Sequence, residues 1–411
     1  MLVKADKEWV INEIEEIACF GKGQRGITRL AFTEADRKAQ KYIIGLMEQS
    51  GLVVREDEIG NIIGRLEGQD DTLPAVLTGS HLDTVIEGGR FDGVVGVVGG
   101  LAAIRRLQEM KALTHPVEVI VFVGEESSRF GFATMGSKAM AGVANTYAWS
   151  KAKDQKDISF ETALAEQKRD IKDIGNAARK REDVKAFVEL HIEQGRLLQK
   201  SGNKIGIVKK IAAPTRLKIT VGGMAAHSGS TPMEDRHDAL VSAAMIVLAV
   251  QEIALDQSER GTVATVGDLK VYPGAINVVP GLVEMLVDLR GTNQESIIEC
   301  LQEIKDAISS ITEQQDTVVD IEMMSAEKPV EMDLEISKLI ETSCIDLGVA
   351  YQSLHSGSGH DAMNMTKLAP TGMIFVPSRD GISHNPDEYT EYDDIMIGID
   401  VLTETLYQLA K

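Results

Sequence analysis

The segment GSHLDTVIEGGRFDGVVG, from Gly79 to Gly96, places His81, Asp83 and Asp92 among five glycines. Farther along, GEESSRF sets Glu125 beside Glu126 at the end of the apolar run VEVIVFV. The chain has only eight histidines, and four of them, His81, His191, His360 and His384, lie near acids or glycines in loops or at predicted strand ends. Singly, each reads as a surface or capping residue. Together with Asp92 and the glutamate pair at one predicted sheet edge, they are the imidazole and carboxylate set that holds zinc, manganese or cobalt while leaving room for water. Two adjacent idle glutamates would repel each other at an apolar strand end. A division of labour fits better: one is a ligand and the other a general base acting on water. Asp83 stands two residues after His81, on the same face of an extended segment, where it is expected to orient the imidazole. Asp92 follows Gly88 and Gly89, which allow a tight backbone path, and its two oxygens can bridge two ions. Glu87 reads as a solvated loop charge.

These residues need a scaffold that brings strand ends together. Asn61–Leu66, Pro74–Thr78 and Val117–Val123 read as strands, and Glu34–Gln49 and Gly93–Met110 as helices, the first with Thr33 as N-cap. This alternation predicts an α/β domain with a largely parallel sheet, which binds ligands at the C-terminal ends of its strands. His81 follows one such strand and Glu125–Glu126 another. From Pro214 the pattern changes. Arg216–Val221 reads as a strand, Asp238–Leu255 as a helix, Thr262–Leu269 and Val283–Arg290 as strands, Ser296–Ile311 as a helix and Thr317–Met323 as a strand. The order βαββαβ predicts a ferredoxin-like sandwich. After Val330 helix and strand alternate again, ending in the strand Gly372–Val376 and the helix Tyr392–Leu409. The expected organisation is therefore a catalytic domain, residues 1–212 and 330–411, interrupted by an inserted domain, residues 213–329.

A chain of 411 residues exceeds what one core usually organises. Its net charge of −20 opposes binding to phosphate backbones, so no nucleic-acid partner is expected. The longest apolar stretch, Val94–Ile104, is short and glycine-rich, so no membrane span is expected. The N-terminal segment from Met1 is acidic and amphipathic and lacks a signal-peptide pattern. Cys19, Cys300 and Cys344 form no CxxC pair and suit a reducing compartment; the expected location is cytoplasmic.

The motifs GSHLDTVIEGGRFDG, GEESSRF, VELHIEQG, AAHSGSTPM, GAINVVPG, DLRGT, HSGSGHDA and GISHNPDEYT span nearly the whole chain. In this order they resemble the amidase, hydantoinase and carbamoylase branch of the dinuclear metallopeptidase family. The resemblance implies a metal-dependent exopeptidase-like catalytic domain with an inserted ferredoxin-like dimerisation and lid domain, two divalent ions per subunit (zinc, manganese or cobalt), and a homodimer formed through the insert. Carried over residue by residue, it makes His81, Asp92, Glu126, His191 and His384 the ligands, with Asp92 bridging, and Glu125 the general base. His227 matches a histidine that stabilises the oxyanion in the partner subunit's site. Arg290 and Asn277 match groups holding a substrate carboxylate, a task suited to the planar guanidinium fork. Gln194, Arg216, Gly357 and His360 match substrate-side positions. This chain departs from its relatives at Ser127 and His237, where glycine and arginine are common.

The activity implied is hydrolysis of an N-carbamoyl or ureido C–N bond in a small carboxylate, releasing ammonia and CO2. Arg216 and the HSGSGHDA segment lean towards allantoate. N-carbamoyl-L-amino acids, ureidoglycolate and N-carbamoyl-β-alanine stand as alternatives, and the peptide or N-acyl amino acid substrates of the wider family after them.

Overall fold

The protein is described by a computed structural model covering residues 6–110 and 113–411. Met1–Ala5, where the acidic N-terminal segment begins, lie outside the described residues. Helices α1 (Lys7–Cys19) and α2 (Glu34–Gln49) open the chain. Asp6 and Thr33 cap them, accepting hydrogen bonds from the backbone of Trp9 and Asp36. Then come β1 (Val53–Glu56), β2 (Ile62–Leu66), β3 (Ala75–His81), α3 (Val94–Met110) and β4 (Val117–Phe122). Three short helices, α4 (Met135–Met140), α5 (Thr146–Ser150) and α6 (Phe160–Glu166), lead to β5 (Val184–Ile192), α7 (Leu197–Ser201) and β6 (Ile205–Ile211). Next are β7 (Ala213–Gly222), β8 (Ala226–His227), α8 (Ala239–Gln257), β9 (Thr262–Tyr272), β10 (Val278–Val279), β11 (Leu282–Gly291), α9 (Gln294–Gln314) and β12 (Val318–Ala326). The chain closes with β13 (Val330–Glu331), α10 (Leu334–Leu347), β14 (Tyr351–Ser356), α11 (Ala362–Met365), β15 (Thr371–Val376) and α12 (Tyr392–Ala410).

Two compact units result. The first runs to Lys209 and resumes with Met332–Leu354 and His360–Lys411; the second is Lys210–Glu331 with His355–Gly359. The short return of the chain at 355–359 has no counterpart in the sequence reading. It is tied in by the Ala212 amide, which donates to the Ser356 carbonyl at 2.8 Å.

In the first unit the sheet order is β1-β2-β4-β3-β5-β15-β6, with β14 also on β6. The four central strands, β4, β3, β5 and β15, are mutually parallel, while β1–β2, β2–β4 and β15–β6 are antiparallel. The expected largely parallel sheet is thus a mixed one. Every residue of β3, β4 and β15 is buried, as helix-covered parallel strands must be. The core joins these strands to apolar residues of α3, α10 and α12. Parallel register aligns the strands' C-terminal ends: His81 pairs with Phe122, and His191 with Phe375.

The second unit is an antiparallel sheet of order β12-β7-β11-β9, with α8 and α9 on one face and a small β8–β10 ribbon. Its βαββαβ order is the expected one. Strand β7 alternates strictly, with Leu217, Ile219 and Val221 buried between more open residues. Helix α8 corrects one reading. Among the described residues the helical stretch Ala239–Arg260, not Val94–Ile104, is the one long and apolar enough to cross a membrane by length and composition, with mean hydropathy 1.8 over its most apolar window. Ala239, Ala243, Ile246 and Val250 are buried in the core of this unit, while Leu240, Val241, Leu248 and Leu255 stay exposed.

Candidate metal centre

Asp92 lies at the middle of the first unit's polar cluster. Its Oδ1 is 3.1 Å from His191 Nε2 and 3.7 Å from His81 Nε2. Its Oδ2 is 3.2 Å from His384 Nε2, which is also 3.2 Å from Glu126 Oε1. Two donor groups follow, His81–Asp92–His191 and Asp92–Glu126–His384, joined through one carboxylate. Bonds of roughly 2.0–2.1 Å to a tetrahedral ion imply ligand-to-ligand edges of about 3.3–3.4 Å. Three of the four separations, at 3.1–3.2 Å, lie close to that edge, and His81–Asp92, at 3.7 Å, is wider. Each group offers three donors, which leaves coordination positions open for water or substrate.

The local chain geometry explains these positions. His81 Nδ1 faces the Asp83 backbone carbonyl at 2.9 Å, and His191 Nδ1 faces the Ile192 carbonyl at 2.9 Å. A carbonyl can only accept, so each Nδ1 carries a proton and each Nε2 faces Asp92, donating a hydrogen bond to it while protonated and open to a cation once that proton leaves. Asp83 therefore acts differently from the expectation. Its carboxylate is 4.0 Å from His81 Nδ1 and accepts instead from the Glu125 and Glu126 amides, at 3.2 and 3.0 Å. The turn after β3 brings the carbonyl, not the side chain, to the ring. The carboxylate anchors the loop carrying both glutamates. Gly93 is in the left-handed region (φ 68°), and a Cβ there would lie 2.5 Å from the His81 ring. Only glycine admits this approach.

Two supporting residues escaped the sequence reading. Glu388 Oε1 accepts from the Phe91 and Asp92 amides at 2.9 and 3.1 Å. The Ser383 hydroxyl donates to Glu388 Oε2 at 2.9 Å and lies 3.2 Å from Asp92 Oδ2. Both residues stand in GISHNPDEYT, where His384 alone had been given a role. A side chain at Gly89 would collide with the Glu388 carboxyl, so the glycine before Asp92 marks the position of this acid. Gln194, expected on the substrate side, donates from Nε2 to Asp92 Oδ2 at 2.8 Å. Its buried Oε1 lacks a partner among the described residues. Both Gln194 and His384 adopt positive φ, 58° and 55°, a backbone conformation that residues with side chains rarely take.

The electrostatics follow from crowding. Burial opposes the Asp92 charge, but hydrogen bonds from His191, His384 and His81 hold its carboxyl well below the usual range. Burial also opposes charge on His81, yet the Asp92 hydrogen bond and the Glu125 and Asp83 charges push that imidazole well above its ordinary value. His384 is raised to about 11 by Asp92 and Glu126. Burial, with Glu126, Asp361 and Asp83 nearby, pushes Glu125 well above the carboxylate range, the property of a usable base. Glu125 Oε2 stands 3.9 Å from His81 Nε2, beside the first donor group. His360 is buried edge-on to His191, ring centres 4.6 Å apart, and burial with the His191 charge drives it well below its ordinary value. Glu189 forms a further donor group with His191 and His360, but its oxygens are taken by the Ser80 hydroxyl and the Ala362 amide at 2.8 and 3.0 Å.

Arg216, His227, Asn277, Arg290 and Gly357 belong to the second unit. His227 Nδ1 accepts from the Gly229 and Ser230 amides at 3.1 and 3.2 Å, which leaves the ring proton on Nε2. The Ser228 amide donates to the Asn277 carbonyl at 3.1 Å, so Asn277 stands next to His227 at the end of the β8–β10 ribbon. Arg236, which carried no role in the sequence reading, donates to the Ser228 and Thr231 carbonyls and braces the His227 loop. His237 turns away to Asp316. Gly357 is exposed, with open space where a Cβ would stand.

A paired imidazole–carboxylate centre beside a buried free carboxyl is the site of a metallohydrolase. Residues 71–408 match Peptidase family M20/M25/M40, and the chain belongs to it. Over 412 residues it is 39% identical to an N-carbamoyl-L-amino acid amidohydrolase of Geobacillus stearothermophilus, covering 100% of both chains. It is 36% identical to a ureidoglycolate hydrolase of Oryza sativa subsp. japonica, covering 98% of this chain and 85% of that one. It is 37% identical to an allantoate amidohydrolase of Escherichia coli K12, covering 94% and 93%. A crystal structure described as AtUAH in complex with glyoxylate superposes with a TM-score of 0.90 at 33% identity, covering 100% of this chain and 99% of that one. The protein is an amidohydrolase of this metal-dependent family.

Proposed function

We propose that this chain hydrolyses the ureido C–N bond of a small N-carbamoyl carboxylate, with allantoate as the preferred substrate, releasing ammonia and CO2. The observation that carries the reaction class is the division of Asp92, one oxygen on each of two donor groups, with the buried Glu125 carboxyl 3.9 Å from His81 Nε2. The donor set suits two divalent ions, zinc, manganese or cobalt, held by His81, Asp92 and His191 and by Asp92, Glu126 and His384. Such ions supply Lewis-acid activation of water and of the scissile carbonyl. Glu125 takes the proton of the attacking water and returns it to the leaving nitrogen. Asp83 holds Glu125 in place through the backbone. Arg290 and Asn277 hold the substrate carboxylate, and Gln194, Gly357 and His360 line the substrate. His227 offers its Nε2 proton to the developing oxyanion.

Arg216 supports allantoate, because a second cation beside Arg290 suits a further polar ureido arm rather than an apolar side chain. The 39% identity to an N-carbamoyl-L-amino acid amidohydrolase favours those compounds as the second reading. We also read the protein as a cytoplasmic homodimer formed through the second unit, with His227 serving the neighbouring chain. The exposed apolar residues of α8 and the free edges of β9 and β12 support that assembly, and the three free cysteines suit a reducing compartment. The test is a rate comparison on allantoate, ureidoglycolate, N-carbamoyl-β-alanine, several N-carbamoyl-L-amino acids and simple dipeptides. The highest kcat/KM falls on allantoate. A dipeptide preference would overturn the reaction class, and an N-carbamoyl amino acid preference would overturn the substrate alone.

A further inference from the structure

In the second unit, β7 and β11 run antiparallel with Asp288 opposite Arg216. Leu217 and Ile219 of β7, with Val287 and Leu289 of β11, are buried in the core with α8 and α9. Strand alternation therefore puts Arg216, Asp288 and Arg290 together on the other face. All three remain about one-third exposed, at 35%, 35% and 32% of the side chain. Arg290 donates from both Nε and Nη2 to Asp288 Oδ2, at 3.0 and 2.9 Å. Arg216 Nε lies 3.9 Å from Asp288 Oδ1. That Oδ1 is buried and has no hydrogen-bond partner among the described residues.

A guanidinium has two forks, one made by Nε with one Nη and one made by the two terminal nitrogens. Asp288 fills the first fork of Arg290 and so fixes the direction of the second. The charge count matters as much as the geometry. Two guanidinium groups face one carboxylate, leaving a single surplus positive charge. Beyond this triad the face is mixed: Lys218 pairs with Glu284 at 2.5 Å and also stands opposite Glu322, so the surplus is confined to the two guanidinium groups and Asp288.

We propose that Asp288 is the positioning residue of the substrate-carboxylate clamp and sets its capacity: it orients Arg290, faces Arg216, and restricts the pair to one carboxylate. This rests on the reading of Arg290 and Arg216 as substrate groups. The restriction selects monocarboxylate ureido compounds over dicarboxylates of similar size, because a second carboxylate would meet Asp288 rather than a free cation.

The experiment compares N-carbamoyl-L-alanine with N-carbamoyl-L-aspartate in the metal-loaded full chain. In the parent protein KM is lower for the monocarboxylate. Asp288→Asn frees one positive charge at constant shape, and the KM ratio shifts towards the dicarboxylate by about tenfold, while kcat on the monocarboxylate changes by less than about threefold. Asp288→Glu, which keeps the charge, retains the original preference. Thermal melts of both variants identify any loss of fold, which would not by itself move a ratio of KM values. If Asp288→Asn leaves the ratio unchanged, or Asp288→Glu shifts it equally, the inference is overturned. Arg290→Ala separates the two levels. A rise in KM for both substrates upholds the clamp even when the Asp288 variants fail, whereas an unchanged KM overturns the reading of Arg290 itself.

Discussion

Replacing Glu125 with glutamine removes one proton acceptor and almost nothing else. The amide matches the carboxylate in shape. The anchoring hydrogen bond runs from the residue 125 backbone to Asp83, so the loop keeps its hold. The ligand distances around Asp92 do not involve Glu125. What is lost is a buried carboxyl that burial and the neighbouring Glu126, Asp361 and Asp83 charges hold well above its ordinary value. A base of that kind contributes roughly 10²–10⁴ in rate. At 1.36 kcal/mol per decade, a loss of 10³–10⁴ corresponds to about 4–5.5 kcal/mol of transition-state stabilisation. The assay is ammonia release at saturating substrate, with elemental analysis of the same sample. Glu125→Gln is expected to keep its full metal content and a KM within about threefold of the parent, with kcat reduced by about 10³ or more. A fall in kcat of less than about tenfold with metal retained would refute the base assignment. Loss of metal would make Glu125 a ligand instead.

The other expectations probe the support of the site. Gly93→Ala sets a Cβ against the His81 ring at φ 68°, a conformation costing about 1–2 kcal/mol for a residue with a side chain. The variant should lose the ion of the His81–Asp92–His191 group while keeping the other, as read by metal content; an unchanged metal content would contradict the packing argument. Metal uptake should release protons and strengthen as pH rises. His81, His191 and His384 hold their protons above the ordinary histidine value in the metal-free chain, so an entering cation must displace them. Calorimetry in buffers of different ionisation enthalpy measures that release, and its absence at neutral pH would count against these three ligands. Subunit exchange between inactive Glu125→Gln and His227→Ala chains should restore activity in mixed dimers; confirmed exchange without recovery would confine His227 to its own chain.

Much of the architecture was legible because it rests on local signals. Thr33 as N-cap and the bounds of α2 follow from a capping residue before a periodic apolar face, and the structure matches both. The βαββαβ order was visible because strands and helices there alternate with clear changes of period. Strands β5, β6 and β14 were missed although β5 has nine residues and β6 seven; β5 pairs with β3 and β15, and β6 with β14 and β15, partners that sequence order does not announce. Distance in sequence concealed Glu388, which meets the Asp92 backbone from 296 residues away and shows only as an acid in a polar loop. Asp83 was placed at the site by its spacing from His81. Spacing could not tell its carbonyl from its carboxylate, since the turn after β3 decides which one reaches the ring. Gln194 was assigned to substrate, and its contact with the Asp92 carboxylate depended on a left-handed backbone that HIEQG does not announce.

The central claim is that two ions share Asp92 and act together on a ureido bond. Its most direct test is to strip the protein with a chelator and titrate zinc or manganese back while following ammonia release from its best ureido substrate. Activity should stay low through the first equivalent per chain and reach its plateau at the second. His384→Ala should bind a single ion and remain inactive. Full activity at one equivalent, or ammonia release that survives complete removal of metal, would contradict the account.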